Sequence, residues 1–299
     1  MGVSMVTEKP TPSLPHRQMG RYLRRAREAQ DLSQGQVAAM ADWSVSTQSR
    51  LERGEVGRLR QRDIELVCRS LGLTDDETAA MAGMFKQGAE KTWWHGFGDL
   101  IPESFNVYIE LENEARTLEI YRPDLVPGLL QNAGYARVLD RIYFPYATEE
   151  EQARRIELRM KRQRIITRRA SPVVVDAVLH EAVVHSQVGD RVTMAAQMRH
   201  LAELSTSPNV SIRVLPFSSG FPVGGPVGPF VILSYGADGG STAADPTVVY
   251  VEGFTGDLYL EGRSQVQKYS AAWATIHRAA LDVVASRTLL RQRLKEFMT

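Results

Sequence analysis

The stretch LSQGQVAAMADWSVSTQSRLERGE, residues 32–55, changes character at its midpoint. Its first half places Val37, Ala38 and Ala41 at helical spacing, which predicts one apolar face. Ser33 and Ser44 stand where helix N-caps are expected, so the stretch predicts two short helices joined by a tight turn. The second helix carries polar side chains that a small domain cannot all bury: Ser44, Ser46, Thr47, Gln48, Ser49 and Arg50. Something outside the domain is expected to use them.

This pair of helices meets the physical requirements for reading the major groove of DNA. In such a pair one helix crosses the phosphate backbone while the next presents its leading face to base edges. Here that face consists of Val45, Ser46, Ser49 and Arg50. Arginine can hold guanine through two hydrogen bonds, which is worth about 1–3 kcal/mol of discrimination. The alternative is a solvated polar helix in a small bundle.

The residues around the polar run favour the DNA-binding interpretation. The positions that carry a resemblance are Leu32-Ser33-Gln34, Val37-Ala38, Ser44, Ser46 and Leu51-Glu52-Arg53-Gly54. Over about residues 17–73 this spacing resembles the helix-turn-helix regulators of the phage-repressor type, the Cro/C1 or xenobiotic-response-element (XRE) family. The resemblance implies double-stranded DNA as a partner.

The same resemblance implies roles for individual residues. Gln34 and Thr47 would hold phosphates, and the full DNA-binding set is Gln34, Ser44, Val45, Ser46, Thr47, Ser49 and Arg50. Arg27 and Glu52 occupy the positions of a structural ion pair between the first and third helices.

Two positions depart from the family pattern. Asp42 replaces the usual turn glycine, which is tolerable because aspartate enters the left-handed region more readily than most residues. Gln48 replaces the usual buried aliphatic residue of the third helix. Either Gln48 finds polar partners inside the domain, or the third helix tilts.

Charge is distributed unevenly along the 299 residues, although the formal net charge is only +1. Arginines concentrate on both sides of the opening stretch, at 14–30 and 50–62, whereas 99–124 is acidic. A polyanionic partner would therefore favour the N-terminal end.

The composition excludes several classes of protein. One cysteine, Cys68, cannot form an internal disulfide. No stretch approaches the roughly 18 apolar residues of a membrane span, and residues 1–16 have no apolar run typical of a signal peptide. We therefore expect a soluble cytoplasmic protein without a membrane partner, with a disordered tail over 1–16.

Periodicity and capping signals divide the remaining chain into two domains. Residues 17–89 predict five short helices, an all-α DNA-binding domain. Residues 90–299 predict a larger α+β domain with helices at 104–121, 132–144, 148–169, 190–205, 264–278 and 281–297. Strands are expected at 173–179, 210–217, 229–235, 247–252 and 258–261. They predict a mixed sheet of about five strands, with a parallel crossover between the first two and an antiparallel meander for the last three.

The larger domain has a resemblance of its own. Trp93-Trp94, Tyr121, Val126-Pro-Gly-Leu-Leu-Gln131, Arg159 to Gln163 and Val249-Tyr250-Val-Glu252 carry most of it. They are similar to the WhiJ-like, antitoxin-like transcription regulators of actinobacteria. That resemblance implies transcriptional control, commonly repression, with small proteins encoded nearby as partners; it implies no catalytic residue.

Candidate contacts for an effector or partner in this domain are Trp93, Trp94, Gln131, Arg159 and Phe221. The alternative for Gln131 is a structural role, capping or bridging the next helix. Arginines of 148–169 are interpreted as a solvated face, as a pairing surface for the acidic 99–124 segment or, more weakly, as a DNA contact. The loop 220–229 lacks the lysine and hydroxyl residue that end a phosphate-binding loop, so we interpret it as a mobile loop or a lid.

The sequence favours a regulatory function over an enzymatic one. The six histidines show no metal-ligand spacing, so neither a metal nor a cofactor is expected. The sequence predicts a DNA-binding transcriptional regulator, a repressor and homodimer, whose larger domain receives a signal from a small protein or small molecule. The alternative is an antitoxin-like interaction protein that sequesters a small partner, with DNA binding secondary.

Overall fold

The computed structural model describes residues 14–89, 100, 103–236, 247–254 and 256–299. The chain forms two compact units, one extending to Glu110 and the other running from Leu111. The predicted domain boundary between residues 89 and 90 adjoins 90–99, outside the described residues. It therefore stays a prediction. The predicted all-α domain followed by an α+β domain is confirmed.

The first unit contains the five predicted helices, α1 (Leu14–Glu28), α2 (Gln34–Met40), α3 (Val45–Glu52), α4 (Gln61–Ser70) and α5 (Asp75–Ala89). The predicted cap is present, since Ser33 Oγ accepts from the Gln36 backbone N–H at 3.2 Å. Helix α1 begins at Leu14, so the predicted disorder of 1–16 is wrong for its last three residues. His16 is buried there and its Nε2 lies 2.9 Å from the carbonyl oxygen of Phe85. Residues 1–13 lie outside the described range.

The five helices share one apolar core. Its fully buried members include Leu23 of α1, Val37 of α2, Leu51 of α3, Ile64, Val67 and Cys68 of α4 and Met81 of α5. Helix α1 approaches the end of α3 so closely that a Cβ on Gly20 would lie 2.5 Å from the carbonyl oxygen of Leu51. Gly54, which ends α3 with φ 83°, lies against the backbone of Arg17 in the same way. These two glycines let the buried end of α3 dock on α1.

The second unit is built on a mixed six-stranded sheet in the order β3-β2-β1-β4-β5-β6. The strands are β1 (Thr117–Arg122), β2 (Val174–His180), β3 (Val210–Leu215), β4 (Phe230–Ser234), β5 (Val248–Val251) and β6 (Leu258–Leu260). The predicted parallel crossover is confirmed between β2 and β3. The predicted antiparallel meander is confirmed for β4, β5 and β6.

Strand β1 corrects the prediction of a helix over 104–121. Helix α6 (Glu103–Glu114) ends early, and the chain enters the sheet at Thr117. Thr117 pairs with Val174 of β2 in the parallel direction and with Ser234 of β4 in the antiparallel direction. The strand absent from the prediction therefore joins the parallel half of the sheet to its antiparallel half.

Helices complete the second unit. They are α7 (Ala133–Tyr143), α8 (Glu149–Arg162), α9 (Arg164–Thr167), α10 (Glu181–His185), α11 (Arg191–Leu204), α12 (Arg263–Ala279) and α13 (Val283–Met298). The single helix predicted over 148–169 is divided at Gln163, where α8 ends. Trp273 and Ile276 of α12 pack on Phe230 and Val249 of the sheet. Among the described residues, no helix is long and apolar enough to span a bilayer.

Candidate nucleic-acid interface

Helices α2 and α3 are joined by a turn that fixes their angle. Asp42 adopts φ 54°, the left-handed conformation that the family pattern assigns to glycine. The backbone N–H of Trp43 then donates to the carbonyl oxygen of Ala38 at 3.0 Å. Ser44 caps α3, since its Oγ accepts from the Thr47 backbone N–H at 3.2 Å. The turn thus directs α3 away from α2 with its polar face uncovered.

The outer face of α3 carries the four residues predicted to read bases. Val45 is 53% exposed, Ser46 and Arg50 are exposed, and Ser49 is half-buried. Within the described part of the chain, the guanidinium of Arg50 has no ion-pair or hydrogen-bond partner. Its guanidinium is therefore available to a ligand, as a base-reading arginine must be.

The hydroxyl groups of this face already interact with one another. Ser44 Oγ lies 2.9 Å from the hydroxyl oxygens of both Ser46 and Thr47. Ser49 Oγ accepts from Nη1 of Arg53 at 2.9 Å. Such bonds can be exchanged for bonds to phosphate or base edges, because each hydroxyl both donates and accepts.

A buried ion pair lies beneath α3. Arg27 Nε donates to Glu52 Oε1 at 2.6 Å, and its Nη2 donates to Glu52 Oε2 at 2.9 Å. Arg27 Nη1 also donates to the carbonyl oxygen of Leu32 at 2.8 Å. The guanidinium therefore ties α1 both to the start of the helix-turn-helix segment and to the end of α3.

Two glutamine amides complete the coordination of Glu52. Gln48 Nε2 donates to Oε1 at 2.9 Å, and Gln34 Nε2 donates to Oε2 at 2.8 Å. Each carboxylate oxygen thus accepts two hydrogen bonds. The carboxylate joins α1, α2 and α3 at one point, which sets the position of the exposed face above it.

Gln48 resolves the alternative that the sequence left open. Its side chain is fully buried, and its Oε1 accepts from the indole N–H of Trp43 at 3.3 Å, while its amide donates to Glu52. A polar residue at this position is satisfied inside the domain, and no tilt of α3 is needed. Sequence reasoning missed Trp43; its position directly before the helix cap was the available signal.

Gln34, which was expected to contact a DNA phosphate, also takes part in the hydrogen-bond network inside the domain. Its amide nitrogen, the group that would hold a phosphate, donates to Glu52 at 2.8 Å. One amide hydrogen is committed in this way, and the phosphate contact stays a prediction. Thr47 is half-buried at the start of α3 beside the Ser44 hydroxyl.

The hydrogen bonds around Glu52 change the pKa of its carboxyl group. Burial by itself raises the pKa of Glu52, but the hydrogen bonds from Arg27, Gln48 and Gln34 outweigh it, and the net effect lowers that pKa. The hydrogen bonds that Arg27 donates to Glu52 outweigh its burial and raise the pKa of Arg27. Both groups are charged at neutral pH.

We expect acid to destabilise the first unit more in the wild type than in Glu52→Gln. The pKa of the folded carboxyl lies below its ordinary value of 4.5. Its ionised form therefore adds stability that is complete above that value and is lost as the pH falls through the folded pKa. Urea unfolding, followed from neutral pH downward, measures this, and parallel losses in both proteins would contradict the contribution of Glu52.

Among the candidate effector residues of the second unit, the structure brings two into direct contact, Gln131 and Arg159. Gln131 is buried and Arg159 Nη1 donates to its Oε1 at 2.6 Å, whereas Phe221 is 70% exposed on the 220–229 loop. Trp93 and Trp94 lie outside the described residues. Within the described ranges, no group of three histidine, cysteine, aspartate or glutamate side chains is placed to hold a metal.

Comparison with known families agrees with this geometry. A family model described as a helix-turn-helix domain matches residues 18–81, which span α1 to the middle of α5. The match indicates a DNA-binding regulator. No curated protein matches the chain. A second family model, described as a domain of unknown function (DUF5753), matches residues 105–292, more than half of the chain. The chain therefore belongs to the DUF5753 family and carries a helix-turn-helix DNA-binding domain ahead of that domain.

Proposed function

We propose that this protein is a sequence-specific transcriptional regulator, a repressor that binds DNA as a homodimer. The observation that carries the proposal is the outer face of α3, where the Arg50 side chain is exposed and without a partner among the described residues. Beneath that face, the four hydrogen bonds to Glu52 hold the helix in place. A fixed helix with a free arginine suits base reading, because little order is lost on binding.

The resemblance to Cro/C1 regulators supports the docking geometry. With α3 in the major groove, Val45, Ser46 and Arg50 face base edges, while Gln34 and Thr47 lie near the backbone. Members of that class bind as dimers to half-sites about one helical turn apart. Repression is supported by the likeness to WhiJ-like regulators.

The second unit is proposed to receive the signal. It has its own sheet and apolar core and matches a separate family model, so it is not needed to complete the DNA-binding helices. A small molecule or a small protein encoded nearby is the expected signal. Trp93, Trp94, Gln131, Arg159 and Phe221 remain the proposed contacts.

Footprinting on the promoter of the protein's own operon tests the proposal. The wild type is expected to protect two half-sites. Arg50→Ala should lose about tenfold or more in preference for the operator over unrelated DNA. Its salt dependence should stay nearly unchanged, because a base contact releases few counterions.

Arg69→Ala is the matched control for this experiment. Arg69 has a 70% exposed side chain on α4 and contacts Glu65 at 3.7 Å. Its removal should leave operator preference unchanged. Binding without sequence preference, with Arg50→Ala and Arg69→Ala behaving alike, would contradict base reading by α3.

The second candidate function is sequestration of a small partner protein, with DNA binding secondary. One observation favours it: an apolar group at the end of α7 is exposed, consisting of Ile142, Tyr143, Phe144 and Tyr146. Exposed patches of this kind often mark protein contacts. Gln48, the residue that departs from the helix-turn-helix pattern, does not favour this candidate, because its amide oxygen and nitrogen both have partners inside the domain. Co-purification of a small protein without any protected DNA site would favour sequestration.

A further inference from the structure

Three arginines line one face of α8. Arg155, Arg159 and Arg162 follow one another at intervals of four and three residues, which brings them to the same side of a helix. The three side chains contact different partners. Of these, Arg162 pairs with the acidic 99–124 segment, through Glu112, as one of the interpretations of this helix expects.

The two outer arginines bind carboxylates in the same way. Arg155 Nε and Nη2 donate to the two oxygens of Asp140 at 2.7 and 3.0 Å. Arg162 Nε and Nη2 donate to the two oxygens of Glu112 at 2.8 and 2.9 Å. In both pairs the carboxylate lies along the Nε–Nη2 edge of the guanidinium, the geometry that gives strong bidentate binding.

Arg159, between them, has a different partner. Its Nη1 donates to the neutral amide oxygen of Gln131 at 2.6 Å. Of the described residues, none accepts a hydrogen bond from its Nε–Nη2 edge or brings a carboxylate within ion-pair distance. The side chain is partly accessible to solvent. No acceptor from the described ranges thus occupies the edge that its neighbours use for carboxylates.

Gln131 holds this arginine in a fixed position. Gln131 Nε2 donates to the carbonyl oxygen of Val126 at 2.6 Å, and the backbone carbonyl oxygen of Gln131 accepts from Gln163 Nε2 at 2.6 Å. The bond to Val126 holds the side-chain amide and the bond from Gln163 holds the backbone beside it, so the amide oxygen stays directed at Arg159. A guanidinium held in this way loses little freedom when a ligand binds.

The charge of Arg159 is not neutralised locally. Burial and the neighbouring charge of Arg162 lower the pKa of Arg159 to about 10, so the group is still protonated at neutral pH. The acids that act on it from a distance are already bound to other arginines: Asp140 to Arg155, Glu112 to Arg162 and Glu252 to Arg122. A charge in such surroundings is stabilised by an added anion.

We propose that the Nε–Nη2 edge of Arg159 is a binding site for a carboxylate, carried by a small acid or by a chain terminus. The two oxygens bind side by side, as those of Asp140 and Glu112 do on the adjacent arginines. Only one consequence of this inference rests on the proposed function: that the bound acid is the signal for the regulator. Binding itself does not require DNA, so the test below can fail while the footprinting succeeds.

Arginine side-chain NMR on the full chain tests the site. The Nε–Hε signals are followed in protein labelled at the guanidino nitrogens, and Arg159→Lys identifies the Arg159 signal by its disappearance. Acetate is added at constant ionic strength, with chloride as the comparison. The Arg159 signal is expected to move and saturate, while those of Arg155 and Arg162 stay in place.

Further probes separate the sources of the carboxylate. A response to acetate but not to triglycine assigns the site to small acids. A response to triglycine but not to its amide assigns it to a chain terminus. Both outcomes support the proposal. Tighter binding of inorganic phosphate than of either carboxylate overturns it, as does an Arg159 signal that follows chloride as closely as acetate.

A variant measured by calorimetry provides an independent readout. Arg159→Gln should weaken binding of the responding carboxylate by about tenfold or more, because two charge-assisted hydrogen bonds are lost. Arg141→Gln is the matched control, an exposed arginine on α7. Equal affinity in both variants contradicts the site. Should Arg159→Gln fail to fold, the wild-type NMR titration decides the question by itself.

Discussion

Replacing Glu52 by alanine is expected to lower the free energy of unfolding of the first unit by about 3–5 kcal/mol. The carboxylate accepts four hydrogen bonds from Arg27, Gln34 and Gln48. Without it Arg27, only 8% exposed, keeps one acidic neighbour among the described residues, Glu28, at 3.5 Å. Removing one partner of a buried pair is costly because the other charge stays in a poorly solvated position.

Glu28→Ala is the matched control for this prediction. Glu28 pairs with Arg24 at 2.8 Å on the surface of α1, and both side chains are about half exposed. Exposed pairs of this type contribute at most about 1 kcal/mol. Denaturant unfolding compares the two variants, with hydrogen exchange locating the change. Similar losses in Glu52→Ala and Glu28→Ala would show that the buried network adds no more than a surface pair.

The loss of stability in Glu52→Ala should also affect operator binding. Single domains are stable by about 5–15 kcal/mol, so the expected loss is a large fraction of the total. Operator binding by Glu52→Ala should therefore decline on warming well before that of the wild type. Glu52 lies on the buried side of α3, opposite the exposed face. The decline would therefore reflect unfolding of the domain rather than a lost DNA contact.

The helix-turn-helix domain was predictable from the sequence because its signals are local. Ser33 and Ser44 cap helices at fixed offsets, and Asp42 needs only its own backbone conformation. The use of Gln48 was not predictable in this way. Whether a buried amide is satisfied depends on Trp43 and Glu52 reaching it in space, and spacing along one helix does not show that.

The missed strand β1 illustrates the same limit in the second unit. Residues 117–122 follow a strongly helical stretch, and the periodicity of that stretch predicts that the helix continues into them. Their sequence, Thr-Leu-Glu-Ile-Tyr-Arg, nevertheless alternates polar and apolar residues, and Leu118 and Ile120 are fully buried in the sheet. The pairing that makes them a strand comes from β2 and β4, more than fifty residues away along the chain. Tertiary pairing of this kind overrides a local period.

Replacing Arg162 by alanine is expected to destabilise the second unit by about 3–5 kcal/mol. Arg162 and Glu112 are 6% and 2% exposed and form a bidentate pair between α8 and α6. Alanine at this position leaves the carboxylate of Glu112 inside the unit without its main partner. Lys161→Ala is the control, because the adjacent lysine forms a more exposed pair with Glu157 at 2.6 Å. Its cost should stay below about 1 kcal/mol.

A double replacement separates the orphaned charge from lost packing. Glu112→Leu combined with Arg162→Met removes both charges and keeps a similar side-chain volume, a change that is often neutral for buried pairs. Urea unfolding is expected to show that the double variant recovers most of the stability lost in Arg162→Ala. If the double variant is as unstable as the single one, the guanidinium acts mainly through its other contacts. Recovery would show that Glu112 needs its arginine because the carboxylate is buried, the same reason for which Arg159 is expected to need an anion.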